Sequence, residues 1–205
     1  DFPDDHWRRY RDAYYRLCEK VDGYLARILE ALRQNGLEEN TLVIFSSDHG
    51  DGLGAHKWNQ KWALYEESSR VPLILAGPGV PQGQVDNEHL VSHGIDLFPT
   101  LCGFAGVEPP TGLPGRDLKP LLQNPGHTWR DALVAEACWS VLPNSHARML
   151  RSRHYKYVVH TWGRYREQLF DMDRDPGEMV NLAVCRQSRD ILLSHRERLR
   201  SILAE

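Results

Sequence analysis

A long amphipathic segment followed at once by a short, wholly apolar run limits this chain to an α/β arrangement. Tyr10, Tyr14, Leu17, Val21, Tyr24, Ile28 and Leu32 recur at spacings of four and three, which draws one apolar stripe along a helix over residues 5–34. Asn35-Gly36 stops it. Residues 41–45, T-L-V-I-F, are β-branched and apolar and run into polar serines, the pattern of a short buried strand in a parallel sheet. Helix, turn and buried strand make half of an α/β crossover unit. A second strand is predicted over residues 71–76, with Pro72 near its start, where a missing N–H is tolerable. A short strand over 88–92 and a helix over 95–104, with Pro99 in its first turns, follow.

Beyond Gly106 the texture changes. Pro109, Pro110, Pro114 and Pro120 punctuate a loop. Residues 133–137, 146–151, 155–160 and 168–171 then read as short antiparallel strands, and 190–203 as a closing helix with Ile191, Leu192, His195, Leu199 and Leu203 on one side. This divides the chain into an α/β portion over 1–125 and a small α+β portion over 126–205. Net charge is -3, so no nucleic-acid or membrane-surface partner is indicated. No apolar run approaches the roughly 18 residues of a membrane span. Cys18, Cys102, Cys138 and Cys185 lack metal-site or disulfide-framework spacing and are expected as free, mostly buried thiols. Asp1-Phe2-Pro3-Asp4-Asp5 is not a signal peptide: either the protein is cytoplasmic or its true start lies upstream.

The chemistry-bearing segment is Ser47-Asp48-His49-Gly50-Asp51, at the carboxyl end of the first strand, where open α/β sheets bind ligands. A carboxylate and an imidazole adjacent at a turn can both face one cation. Carboxylate oxygen suits calcium or magnesium, and imidazole nitrogen suits transition metals. Lys61 follows His49 by twelve residues, with His56 between them. An ammonium group beside a metal would bind a tetrahedral anion and stabilise a leaving oxygen, and His56 could donate a hydrogen bond or a proton. On residue types alone, an ordinary turn residue and a partly exposed histidine are the commoner account. Trp58 and Trp62 could wall a pocket or pack in a core.

The stretch L-V-I-F-S-S-D-H-G-D-G-L-G-A-H-K-W-N-Q-K-W-A-L-Y-E-E-S-S-R-V-P-L-I, residues 42–74, resembles the sulfatase family of the alkaline phosphatase superfamily. That family pairs Ser-Asp-His/Asn-Gly at a strand end with Leu-Gly-x-His, a lysine about twelve residues on, and Tyr-Glu-x-x-x-Arg-Val-Pro. The resemblance extends through Asp96-Leu97-Phe98-Pro99-Thr100, Gly115-Arg116-Asp117-Leu118, Tyr155-Lys156-Tyr157, Leu169-Phe170-Asp171 and Asp175-Pro176-Gly177-Glu178. It implies the C-terminal part of an alkaline-phosphatase-like α/β/α sandwich plus a small antiparallel sheet with a terminal helix. It implies that Asp48 and His49 are metal ligands, usually to calcium and alternatively to manganese or magnesium. It makes Lys61 and His56 catalytic residues, Lys61 contacting the sulfate group and leaving oxygen. Glu66 and Arg70 match positions read as an ion pair or loop clamp, and Asp51 is not a ligand position. The implied substrates are small-molecule or carbohydrate sulfate esters. A phosphonate or phosphate ester hydrolase of the same superfamily, or a non-catalytic module from a split gene, are the alternatives. Compartment stays open between bacterial periplasm and cytoplasm.

Family members attack sulfur with a formylglycine made from Cys or Ser in Cys/Ser-x-Pro/Ala-x-Arg, and that motif lies upstream of the part represented here. The chain alone is therefore expected to be inactive, and to self-associate through the face that the N-terminal half would cover. Three local patterns are decoys. Cys185-Arg186-Gln187-Ser188-Arg189 has Gln where the nucleophile motif needs Pro or Ala. Asp4-Asp5 precedes a helix and reads as N-capping and macrodipole stabilisation. In 171–175, D-M-D-R-D, Pro176 stands where a calcium loop needs glycine, so it reads as a turn.

Overall fold

Pro3, Asp4 and Asp5 set the first helix going. The computed structural model describes residues 2–139 and 145–204. In chain order its elements are α1 (Asp4–Gln34), β1 (Val43–Ser46), α2 (Glu66–Ser69, a single turn), β2 (Leu73–Ala76), α3 (His93–Ala105), α4 (Lys119–Gln123), β3 (Ala132–Trp139), β4 (Ser145–Ser152), β5 (Tyr155–His160), β6 (Glu167–Asp171) and α5 (Arg189–Ala204). Two compact units result, one of residues 1–62 and 67–84, the other of 63–66 and 85–205.

In the first unit the N-cap of α1 is Pro3, whose carbonyl accepts the His6 N–H at 3.0 Å. Asp4 and Asp5 lie inside the first turn, so they act on the macrodipole and do not cap. At the other end Asn35 donates its side-chain amide to the Ala31 carbonyl at 2.8 Å, and Gly36 turns with φ 65°. Of the apolar stripe, Tyr10 and Tyr14 are half-buried, whereas Leu17, Val21, Tyr24 and Ile28 are exposed, Ile28 by 60%. β1 pairs with β2 in register Val43↔Ala76 through Ser46↔Leu73, and the pairing is antiparallel, not parallel as expected. β1 is also only half-buried. An apolar run reports how much surface a strand can bury. Its direction is decided by the partner, here a strand reached through a connection whose α-helix is the single turn α2.

The exposed stripe carries a prediction. The chain on its own is expected to self-associate, with a molar mass by light scattering that rises with concentration. Val21→Lys combined with Ile28→Lys should return it to a monomer. A wild-type chain that stays monomeric at high concentration would contradict this.

In the second unit the sheet order is β3-β4-β5-β6, antiparallel throughout, as the strand patterns predicted. Alternation gives it two apolar faces. Leu150, Tyr157 and Leu169 pack with Leu192 and Leu199 of α5 on one, and Ala147, Met149 and Val158 pack with Leu64, Ala135 and Trp139 on the other. His195 turns its Nδ1–H to the Ile191 carbonyl at 2.8 Å and receives the Ser152 hydroxyl on Nε2 at 3.0 Å. Burial holds its pKa below the usual histidine value.

α3 is anchored through Asp96, which is fully buried. Its carboxylate accepts Ser92 N–H at 2.8 Å and Arg116 N–H at 2.9 Å, and takes a two-pronged pair from Arg130 at 2.5 and 2.6 Å. The predicted strand over 88–92 is absent. Asp86 instead accepts the Glu88 and His89 N–H groups at 2.9 and 3.0 Å, closing a turn that competes with extended pairing. Residues 171–175 form the turn expected of them, with Asp171 accepting the Asp173 and Arg174 N–H groups. The cysteines are free among the described residues, but Cys18 and Cys138 are exposed where burial was expected.

Candidate metal and anion site

Everything in the candidate site hangs on the turn that leaves β1. Ser47 donates its hydroxyl to the His49 carbonyl at 2.7 Å, and Gly50 N–H reaches the Ser68 carbonyl at 2.9 Å. No other residue fits at Gly50: a Cβ there would lie 1.9 Å from the Glu67 carbonyl oxygen. The two residues before it are thereby presented at a fixed angle.

Asp48 points its carboxylate outward, with 82% of the side chain exposed. Its Oδ1 accepts the His49 N–H at 3.0 Å. That bond, followed by the charges of His49 and Lys61, holds the carboxyl below its ordinary pKa. His49 Nδ1 lies 2.8 Å from the Gly50 carbonyl. A carbonyl can only accept, so Nδ1 carries a proton, and Nε2 is the ring nitrogen left to offer a lone pair. Nε2 lies 3.5 Å from Asp48 Oδ2, too far for a hydrogen bond. Two donors each about 2.4 Å from one calcium ion stand about 3.4 Å apart when they subtend a right angle. The pair therefore fits a shared divalent cation, and the carbonyl behind Nδ1 is the kind of outer contact that orients a ligating imidazole. Among the described residues no group of three or more His, Cys, Asp or Glu side chains is assembled for a metal. These residues supply two donors.

Lys61 and His56 sit on the loop that follows. The loop is strained: Leu53, His56, Lys57 and Gln60 all have positive φ, between 48° and 61°, in addition to Gly54 at 87°. Each such non-glycine residue costs on the order of 1–3 kcal/mol and persists only where its surroundings over-determine it. Gly54 rests on the indole of Trp7, the buried residue of α1, and a Cβ there would meet the ring at 2.9 Å. His56 is half-buried inside the 3-10 turn Ala55–Lys57, and Lys61 is exposed at the returning end of the loop. Trp58 and Trp62, on either side of it, are exposed, not core residues.

In the second unit, residues 64–66 are tied down by a buried lysine. Lys156, with no exposed side-chain surface, places Nζ 2.8 Å from Glu66 Oε1, 2.8 Å from Glu178 Oε1 and 3.0 Å from the Leu64 carbonyl. Glu178 returns the contact by accepting the Glu66 N–H at 2.6 Å. Burial raises the Glu178 pKa, opposed by Lys156. Glu66 is the ion-pairing residue expected from the sequence, and Arg70 is exposed. The sequence reading missed Lys156 and Glu178 as its partners, and missed Tyr10 and Asp51 in the first unit. An apolar residue pattern carries no signal for a charge buried against two carboxylates. Tyr10 was visible only as one member of a helical stripe.

A family model described as Sulfatase matches residues 1–107. Human Arylsulfatase K is 34% identical over 96% of this chain, and the chain spans 37% of that protein's length. A 2-O GAG sulfatase of known structure superposes on 99% of this chain with a TM-score of 0.93 and 31% identity, the match covering 44% of that structure. Phosphonate monoester hydrolase of Agrobacterium radiobacter superposes on the whole chain with a TM-score of 0.87 and 31% identity, covering 43% of that structure. The α/β fold is accordingly alkaline-phosphatase-like, and the chain corresponds to the C-terminal part of its relatives. With a strand-end Ser-Asp-His-Gly turn, a lysine twelve residues on, and a family match over more than half its length, the chain belongs to the sulfatase family.

Proposed function

We propose that this chain is the C-terminal part of a metal-dependent sulfatase acting on sulfate esters of carbohydrates or other small alcohols. The observation that carries the reading is the facing of Asp48 Oδ2 and His49 Nε2 at 3.5 Å, with Nδ1 committed to the Gly50 carbonyl. Asp48 and His49 hold one side of a divalent cation, calcium in the first instance and manganese or magnesium otherwise. When bound, that cation neutralises charge on the oxygens of the transferring group. Lys61 binds a non-bridging oxygen of the same group and stabilises charge on the leaving oxygen. His56 is the nearby donor of a hydrogen bond or proton. The attacking nucleophile and the remaining metal ligands belong to polypeptide outside this chain, so the chain by itself is inactive. Residues 1–125 contribute to the catalytic α/β core and 126–205 form a supporting subdomain.

The likeness to a phosphonate monoester hydrolase supports a second reading, in which the same residues serve a phosphonate or phosphate ester. A tetrahedral anion of similar size and charge would meet the same metal, lysine and histidine.

The test is a panel assay of the full-length protein on 4-nitrophenyl sulfate, a 2-O-sulfated uronic saccharide and 4-nitrophenyl phenylphosphonate, before and after chelation with readdition of calcium or manganese. Sulfate-ester turnover that disappears on chelation and returns with the metal is the expected result. Preferential turnover of the phosphonate would move the assignment to the second reading. Turnover of none of the three, with or without metal, would remove both.

A further inference from the structure

The loop carrying His56 and Lys61 is closed at its neck by one carboxylate that the functional reading leaves unused. Asp51 lies two residues after His49, and its side chain reaches across the neck. Oδ1 accepts the Leu53 N–H at 2.8 Å, and Oδ2 accepts both the Gln60 N–H at 3.2 Å and the Tyr10 hydroxyl at 2.8 Å. Gly52 completes the closure by donating to the Gln60 carbonyl at 2.9 Å. Lys61 is the very next residue.

We propose that Asp51, braced from α1 by Tyr10, is the positioning residue that sets the distance of Lys61 from the Asp48–His49 pair. The argument is geometric. The strained residues Leu53, His56, Lys57 and Gln60 would relax to ordinary backbone if nothing held the neck. The carboxylate bonds both limbs at once, the outgoing one at Leu53 and the returning one at Gln60, beside the backbone bonds from Gly52 to the Gln60 carbonyl and from Gly54 to the Trp58 carbonyl. Three donors converge on it, two of them backbone N–H groups with fixed directions. The Tyr10 bond ties this neck to a helix forty-one residues away in sequence. Burial, then the bond and charge of Asp51, raise the Tyr10 pKa, so the phenol stays a donor at neutral pH.

The effect on turnover rests on the function proposed above, while the holding of the loop does not. The experiment uses the full-length protein carrying Asp51→Asn, Tyr10→Phe, Lys61→Ala and the Asp51→Asn/Lys61→Ala double change. In Asp51→Asn the shape is kept, but an amide NH2 replaces the Oδ2 acceptor or the Oδ1 acceptor, so one limb of the neck is lost whichever way the amide turns. The expected result is a fall of about 10- to 100-fold in kcat/KM, carried mainly by kcat, as a displacement on the scale of an ångström produces. The loss should be larger for an ester of a weakly acidic alcohol than for 4-nitrophenyl sulfate, because Lys61 stabilises the leaving oxygen. Adding Asp51→Asn to Lys61→Ala should cost little more, since residues acting through one another are non-additive. Tyr10→Phe should fall between wild type and Asp51→Asn.

Trypsin cleavage after Lys57 gives the readout that needs no activity. It should accelerate in Asp51→Asn, whose loop opens, relative to wild type. Equal cleavage rates overturn the proposal whatever the kinetics. Additive losses, equal for good and poor leaving groups, also overturn it, because they make Asp51 a structural residue with no link to Lys61. If the wild-type protein turns over no ester, the sulfatase reading fails on its own, and the tryptic rates alone decide on Asp51.

Discussion

Asp48→Ala in the full-length protein is expected to lower sulfate-ester turnover on the order of 10³-fold and to abolish its response to added calcium. The expectation follows from what the carboxylate does not do. Asp48 is exposed, and its carboxylate accepts the N–H of the neighbouring His49. It joins no core and braces no strand, so its loss should leave the thermal midpoint of the metal-free protein where it was. The carboxylate does supply an anionic oxygen beside an imidazole whose Nδ1 proton is committed to the Gly50 carbonyl. Removing it halves the donor set of this chain and takes away the charge that a hard cation prefers. Asp48→Asn retains an oxygen without the charge and should be intermediate, with calcium half-saturation displaced to higher concentration. His49→Ala should resemble Asp48→Ala. Near-wild-type turnover and calcium dependence in Asp48→Ala would remove the metal role and with it the central reading of the site.

The second large effect is on stability. Lys156→Ala is expected to destabilise the protein by about 3–5 kcal/mol, the cost of leaving a buried charge pair with one partner missing. Lys156 has no exposed side-chain surface, and the Glu178 side chain is 1% exposed. Without the ammonium group, the buried Glu178 carboxylate is left facing Glu66 with no positive partner at this site. Truncation to Ala adds a cavity beneath the β5 strand. Lys156→Met combined with Glu178→Gln should recover part of the loss, because the glutamine carbonyl can still accept the Glu66 N–H and Glu66 keeps 20% exposure and can be solvated. The control is Arg148→Ala. Its ion pair with Glu136 joins side chains 53% and 52% exposed, and its loss should cost under about 1 kcal/mol. Urea titrations of the three variants at neutral pH make the comparison. A Lys156→Ala midpoint no lower than that of Arg148→Ala would show that the lysine is dispensable to the sheet.

Local periodicity was enough to read α1, β3 to β6 and α5 from the residues, because each depends on which side chains recur on one face. That Asp48 and His49 lie side by side at the end of β1 was legible for a simpler reason: they are neighbours in the chain. What the residues could not reveal is whatever depends on a partner distant along the chain. The antiparallel direction of β1 was decided by β2. The turn at Asp86, the deep burial of Lys156 between Glu66 and Glu178, and the use of Asp51 as the clasp of a strained loop were all settled by groups that meet only after folding. A carboxylate has one appearance in a sequence whether it binds a metal, closes a loop or balances a buried lysine. Desolvation and the direction of its nearest donors assign the role, and both are properties of the tertiary structure.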